Sequence, residues 1–204
     1  METIEQLLNK GRLMLSSKDN ELSKDYCERM MSVRNSYGNR ENFLISFNPS
    51  RQHDICTCAE RCYTADVPTL SMLRTAYSDS APVAWLVAQL TDLSAYCGVK
   101  DKMTDRQLTE CAMMIVDNYH WLKVSELMLF FYRFKLWKYG SFYGVVDPSR
   151  IVEALTAFVR ERNDALSKIE QEAKDRKMAE HLRKAVTYEE YLRMKNERTG
   201  NTTD

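Results

Sequence analysis

Turn formers are scarce in this sequence: 204 residues carry six glycines and four prolines. An all-β chain turns every few residues and needs many more of both, so the shortage favours long helices. Charge of one sign is lacking as well. Lysine and arginine total 29, and aspartate and glutamate total 29. That balance excludes the strong overall field of a nucleic-acid coat or a polybasic membrane binder, and leaves room for a local patch. Long hydrophobic runs are missing too. The most apolar stretches, Ala81 to Leu90 and Leu127 to Phe134, fall short of the ~20 residues that cross a bilayer. The opening Met-Glu-Thr-Ile-Glu-Gln has no basic stretch leading into an apolar one, so no secretion signal is expected. Cys27, Cys56, Cys58, Cys62, Cys97 and Cys111 are then reduced thiols by default, and the expected location is cytoplasmic.

Catalytic signatures are equally sparse. The closest glycines, Gly140 and Gly144, cannot form a phosphate-cradling loop. There is no His-Glu-x-x-His and no serine elbow, and His53, His120 and His181 lie far apart. The expectation is a protein that is not an enzyme and holds no cofactor. Zinc is the one exception to weigh, because His53, Cys56, Cys58 and Cys62 fall within ten positions. Their spacing departs from the Cys-x2-Cys knuckle that turns two sulfurs onto one ion. The alternative is a short helix whose Cys58 and Cys62, at i and i+4, pack as small apolar groups.

What is present reads as helix. The expected fold is all-α, a compact helical bundle with a long charged C-terminal helix and a loosely attached helical N-terminal region. Residues 1–67 form that region. Ile4, Leu7, Leu8 and Leu15 make one thin stripe and Tyr26, Met30, Met31 and Val33 another, followed by a linker from Asn35 to Arg51 rich in turn formers. The core domain spans 68–165. Thr69 to Tyr77 reads as a short helix, and Ser80-Ala81-Pro82 caps the next, which Gly98 stops. Thr104 with Gln107 makes a capping box, a fourth helix runs from Ser125 to Tyr139, and Asp147-Pro148 starts a fifth. Residues 166–204 form a charged extension. From Arg160 onward there are 11 basic and 10 acidic residues around a thin stripe of Leu166, Ile169, Met178 and Leu182, which suits a solvated helix or coiled-coil segment. Thr187 with Glu190 offers a last capping box, and Thr199 to Asp204 should fray.

One segment stands out. Trp121 to Tyr143 holds nine of the chain's 21 aromatics, with Lys123, Arg133, Lys135 and Lys138 facing a single acid, Glu126. On a helix Leu127, Phe130, Phe131 and Phe134 share one face and belong in the core. Arg133, Lys135, Trp137, Lys138, Tyr139, Phe142 and Tyr143 are the candidate working residues. Three readings are open. The aromatics fill a core corner with cations snorkelling to water, or they anchor a protein partner, or they stack on the bases of a single strand while the lysines meet phosphates.

The run Arg-Phe-Lys-x-x-Lys-Tyr-Gly-Ser-Phe-Tyr-Gly (Arg133 to Gly144), followed by Asp147-Pro148, resembles a group of uncharacterised helical proteins from phages and mobile elements of gut Bacteroidales. Pro68-Thr69-Leu70 and Met103-Thr104-Asp105 look similar too, so the resemblance covers roughly residues 68 to 162. It implies no catalytic residues. More loosely, the layout is similar to small phage replication accessories that bind a replicative helicase, a fold-level analogy. The resulting expectation is a non-enzymatic adaptor acting in DNA replication or processing through a protein partner. The alternatives are direct single-stranded nucleic-acid binding and a structural component that self-associates through its C-terminal helix. No membrane partner is expected.

Overall fold

Most helix starts in this chain carry a capping side chain or an early proline. A computed structural model describes residues 24, 27, 28, 30–184 and 193. Residues 30–37 are helical (α1). They are followed by α2 (Arg40–Ser46), a 3-10 turn (Pro49–Arg51), α3 (Gln52–Ile55), α4 (Ala59–Thr64) and α5 (Leu70–Ala76). Then come α6 (Ala81–Tyr96), α7 (Asp105–Tyr119), α8 (Val124–Lys135) and α9 (Pro148–Lys184). The described residues contain two isolated bridges, Thr69 with Lys123 and Asp101 with Val145, and no strand. The fold is all-α. The chain divides into two units, Met1–Val159 and Arg160–Asp204.

Local signals placed several boundaries correctly. Thr69 Oγ1 accepts from Met72 N at 3.2 Å and opens α5. Gln107 N donates to Thr104 Oγ1 at 3.3 Å while Thr104 N donates to Gln107 Oε1 at 2.9 Å, the reciprocal capping box. Asp147 Oδ1 accepts from Ser149 N at 2.9 Å, and these hydrogen bonds from Ser149 hold its carboxyl below the ordinary aspartate pKa. Ser80 behaves differently. It stands at the cap position of α6 but makes no side-chain cap bond, and its hydroxyl lies 3.2 Å from Ser78 Oγ instead. Pro82 occupies the first turn as expected.

The centre of the first unit is α8. Val124 to Phe131 are eight successive residues, all buried, which places this helix inside the packing rather than on its surface. Trp85, Leu86, Leu90 and Leu93 of α6, Leu108, Cys111, Ala112 and Ile115 of α7, and Ile151, Leu155 and Phe158 of α9 are likewise buried. A helix enclosed on every side buries its polar residues with it, and α8 carries Ser125 and Glu126. Ser125 Oγ donates to Cys62 O at 2.7 Å, and Glu126 Oε2 accepts from Lys123 N at 2.8 Å. Lys123 Nζ donates to Tyr63 O at 3.1 Å and to Ala65 O at 2.8 Å. The final carbonyls of α4 are thus capped by side chains from the entrance of α8.

Within residues 30–67 this overturns the linker expected from Asn35 to Arg51 and the loose attachment expected of the region before Pro68. Gly38, left-handed at φ +71°, separates α1 from α2. Asn39 Oδ1 then accepts from Asn42 N at 2.9 Å to start α2. Phe43 and Phe47 are buried and meet Tyr37 and Tyr77, with ring centroids 5.0 to 5.8 Å apart. Trp85 Nε1 and Gln89 Nε2 both donate to Phe47 O at 2.9 Å, and Gln89 Oε1 accepts from Gln52 Nε2 at 2.7 Å. These segments are ordered by partners more than 30 positions away, so they have little helical periodicity of their own. Of the two N-terminal stripes, Ile4, Leu7, Leu8, Leu15 and Tyr26 lie outside the described residues, and Val33 is buried.

In the second unit, the described part of α9 is a charged helix. Gln171 Nε2 donates to Asp175 Oδ1 at 2.9 Å, and Lys174 meets Glu170 at 3.9 Å. Leu166 and Ile169 are half-buried, while Met178 and Leu182 are exposed. The capping box at Thr187 and Glu190 and the end from Thr199 lie outside the described residues.

Lys123→Met removes two charge-assisted bonds to partly buried carbonyls. It is expected to lower stability by about 2 kcal/mol, against about 1 kcal/mol for removing a single cap in Thr104→Ala. Denaturant midpoints of the two variants test this ordering.

Candidate functional site

The aromatic and basic segment splits at the C-terminal end of α8. Phe130, Phe131 and Phe134 are buried, as their shared helix face required. Phe134 stacks on Phe142 at 5.3 Å and 17°. Tyr139 packs on Phe130 at 5.8 Å and on Phe134 at 6.1 Å. Phe142 is therefore core and Tyr139 half-buried, a correction to their placing on the candidate surface. Trp121 belongs elsewhere. It precedes α8, with its ring 6.4 Å from Tyr119.

Two of the candidate cations also turn out to serve the fold. Arg133 Nη1 donates to the Tyr63 hydroxyl at 3.0 Å and also hydrogen-bonds Tyr139. Burial disfavours its charge, but the Tyr63 and Tyr139 oxygens more than offset this, so its pKa lies above the ordinary value. Lys135 pairs with Asp92 on α6, and its ammonium sits 5.4 Å from the centroid of the Tyr96 ring. Neither group is presented to a phosphate. The partners lie 70 and 43 positions away in sequence, out of reach of any local pattern.

The helix itself ends earlier than Tyr139. Its last residue is Lys135, and Trp137 takes a left-handed backbone at φ +64°. Lys138 N donates to Arg133 O at 3.2 Å and Trp137 N to Phe134 O at 2.9 Å. This pair of bonds is the Schellman termination, and its left-handed position is normally filled by glycine or asparagine. An L-residue there costs roughly 1 kcal/mol, and tryptophan has no polar side chain to bond locally in return. Its indole is instead 57 % exposed.

Other apolar side chains of the same stretch are exposed as well. Leu136 is 59 %, Tyr143 87 % and Val145 48 % exposed, and Tyr96 at the end of α6 is 57 % exposed. Lys138 is exposed too, its ammonium 5.9 Å from the Tyr139 ring centroid. The cleft between Tyr96, Trp137 and Phe142 measures about 10 Å3, room for about one water. Such a surface has no pocket for a small substrate. It suits contact with another macromolecule, since exposed tryptophan and tyrosine are the usual interface anchors.

The candidate zinc ligands are not brought together. His53 Nδ1 lies 3.3 Å from the Tyr132 hydroxyl, Cys58 is exposed, and Cys56 and Cys62 are buried. Among the described residues no group of three or more His, Cys, Asp or Glu side chains is placed to hold a metal. The alternative changes as well. The buried pair is Cys56 with Cys62, not Cys58 with Cys62, because Cys58 stands at the N-cap of α4 with its side chain outward. No helix among the described residues is long and apolar enough to cross a membrane.

Residues 102–199 match a family of unknown function (DUF6633). The match includes the Arg133 to Gly144 run and α9, and it extends through the charged tail that the expected resemblance, ending near residue 162, left out. It does not include residues 68–101. No curated protein and no solved structure matches the chain.

Replacing Trp137 by glycine removes about 1 kcal/mol of backbone strain and gives up the contacts of the enclosed part of the indole, worth about 2 kcal/mol. The stability of Trp137→Gly, read from its denaturant midpoint, is expected to fall by no more than about 1 kcal/mol. A loss above about 2 kcal/mol would mean that the indole is a structural anchor.

Proposed function

We propose that this chain is a non-enzymatic adaptor that docks a protein partner through the surface built from Leu136, Trp137, Lys138, Tyr143 and Val145. The observation that carries the reading is Trp137, a large apolar side chain held outward at a backbone position that disfavours it. Strained, exposed residues cluster at sites of function, and tryptophan contributes strongly when a partner covers it. The resemblance of the Arg133 to Gly144 run to proteins of phages and mobile elements of Bacteroidales suggests the setting. There the partner would be a protein of DNA replication or processing.

Single-stranded nucleic acid is the competing partner, since Trp137, Tyr143 and Lys138 are all exposed. It is the weaker reading. Stacking proteins combine aromatics with cations that track the backbone, and here Arg133 and Lys135 are engaged within the fold.

Capture from the native host by the tagged chain, compared with its Trp137→Gly variant, separates these outcomes. The expected result is a replication or DNA-processing protein retained by the parent and lost with the folded variant. Recovery of no such protein, or equal recovery by both chains, would count against the adaptor. Salt-sensitive binding of single strands that weakens in Lys138→Glu would favour the nucleic-acid reading instead. Lys138 is the informative position, because a glutamate at Lys135 would face Asp92 and perturb the fold.

A further inference from the structure

We propose that Cys56 and Cys62 form a redox-active dithiol, which a hydroperoxide converts to an intramolecular disulfide at the wall of the groove beside α3 and α4. Cys56 follows α3 and Cys62 lies within α4, and both are buried free thiols. The Cys62 Sγ lies 3.4 Å from Ile55 O. That carbonyl carbon is bonded to the Cys56 nitrogen, so the sulfur sits against the backbone of Cys56. The Cys56 thiol also interacts with the Cys62 sulfur, and a disulfide needs neighbours of this kind.

Access and activation come from the same neighbourhood. Cys62 lines a groove of about 320 Å3, together with Ile55, Arg61, Val67 and Ser125. A peroxide is little larger than water and enters wherever water does. The hydrogen bond from Cys56 draws the pKa of Cys62 down; burial opposes this, Arg133 and Arg61 assist it and Glu126 resists it. That same hydrogen bond, with burial, pushes the Cys56 thiol up. The pair is therefore asymmetric. Cys62, which lines the groove, is the attacking sulfur and Cys56 the resolving one.

In the first step the Cys62 thiolate attacks one peroxide oxygen. An S–O bond forms, the O–O bond breaks, and the departing hydroxide takes up a proton to leave as water (as an alcohol from an alkyl hydroperoxide). In the second step the Cys56 sulfur attacks the Cys62 sulfenic acid. The S–S bond forms, the S–O bond breaks, and water leaves with the Cys56 proton. With hydrogen peroxide, two thiols and one peroxide become one disulfide and two waters. The two sulfurs give up two electrons and the peroxide takes them. A dithiol reductant returns both electrons and both protons.

The test exposes the native full-length chain to hydrogen peroxide, then denatures, alkylates and maps it. Trypsin cuts after Arg61, so the disulfide joins a peptide containing Cys56 to the one that begins at Cys62. A Cys58→Ser chain removes ambiguity from the exposed neighbour, and the unsubstituted chain is run beside it in case that variant misfolds. The expected result is loss of two alkylatable thiols, a mass lower by two hydrogen atoms, and recovery with dithiothreitol. Adding Cys56→Ser should abolish the link and leave a Cys62 sulfenic acid that dimedone traps. Exposed Met178 serves as the dose marker. If Cys56 and Cys62 both remain alkylatable when Met178 is already sulfoxide, or if the link joins any other pair, the proposal is overturned.

Discussion

Enclosure of α8 on every side is the constraint from which most of this structure follows. Eight consecutive buried residues include a serine and a glutamate, and polar groups taken out of water need partners or cost several kcal/mol. Glu126 accepts from Lys123 N, while Ser125 and the Lys123 ammonium donate to carbonyls at 62–65, the end of α4. In return α4, only six residues long, gains the capping that a helix so short cannot supply alone. Residues 40–67 are held by that exchange and by the bonds of Trp85 and Gln89 to Phe47 O.

The same reasoning extends to the far end of α8, where it decides which side chains remain for function. Arg133 lies on a flank that meets Tyr63 and Tyr139, and Lys135 on one that meets Asp92 and Tyr96. Both cations compensate local burial before they can meet anything outside. The side chains exposed in this stretch are mostly apolar, Leu136, Trp137, Tyr143 and Val145, and Lys138 is exposed too. That composition is closer to a protein interface than to a groove following phosphates.

Where a signal is local in sequence, the sequence carried it. The caps at Thr69, Thr104 and Asp147 each bind an amide two or three residues on, so a short motif contains both partners. The helix α2 left no signal and α4 only the alternative of a short helix at Cys58 and Cys62, because six or seven residues span at most two turns and establish no period. The engagement of Arg133 and Lys135 was illegible for another reason, since a basic residue beside aromatics looks alike whether its acid or hydroxyl lies outside the chain or across the fold. The helix expected to reach Tyr139 ends at Lys135, because the left-handed turn falls at Trp137 and not at the nearest glycine, Gly140. A tryptophan in a Schellman position gives no warning.

That tryptophan can be weighed against the fold around it. Its left-handed backbone costs roughly 1 kcal/mol, a sizeable share of a stability that for most domains is about 5–15 kcal/mol. Burial of the enclosed part of the side chain, worth about 2 kcal/mol at ~25 cal/mol per Å2, offsets that cost, and glycine would satisfy the same two backbone bonds without strain. The Schellman turn therefore explains the backbone at 137 but not the side chain. The neighbouring rings make the contrast plain, since Phe134, Tyr139 and Phe142 contact one another and their presence is accounted for by packing. What remains unexplained by the fold is an indole, a phenol and two aliphatic groups facing water in the same stretch as one lysine. Cover by a protein partner, as proposed, would take all of them out of water.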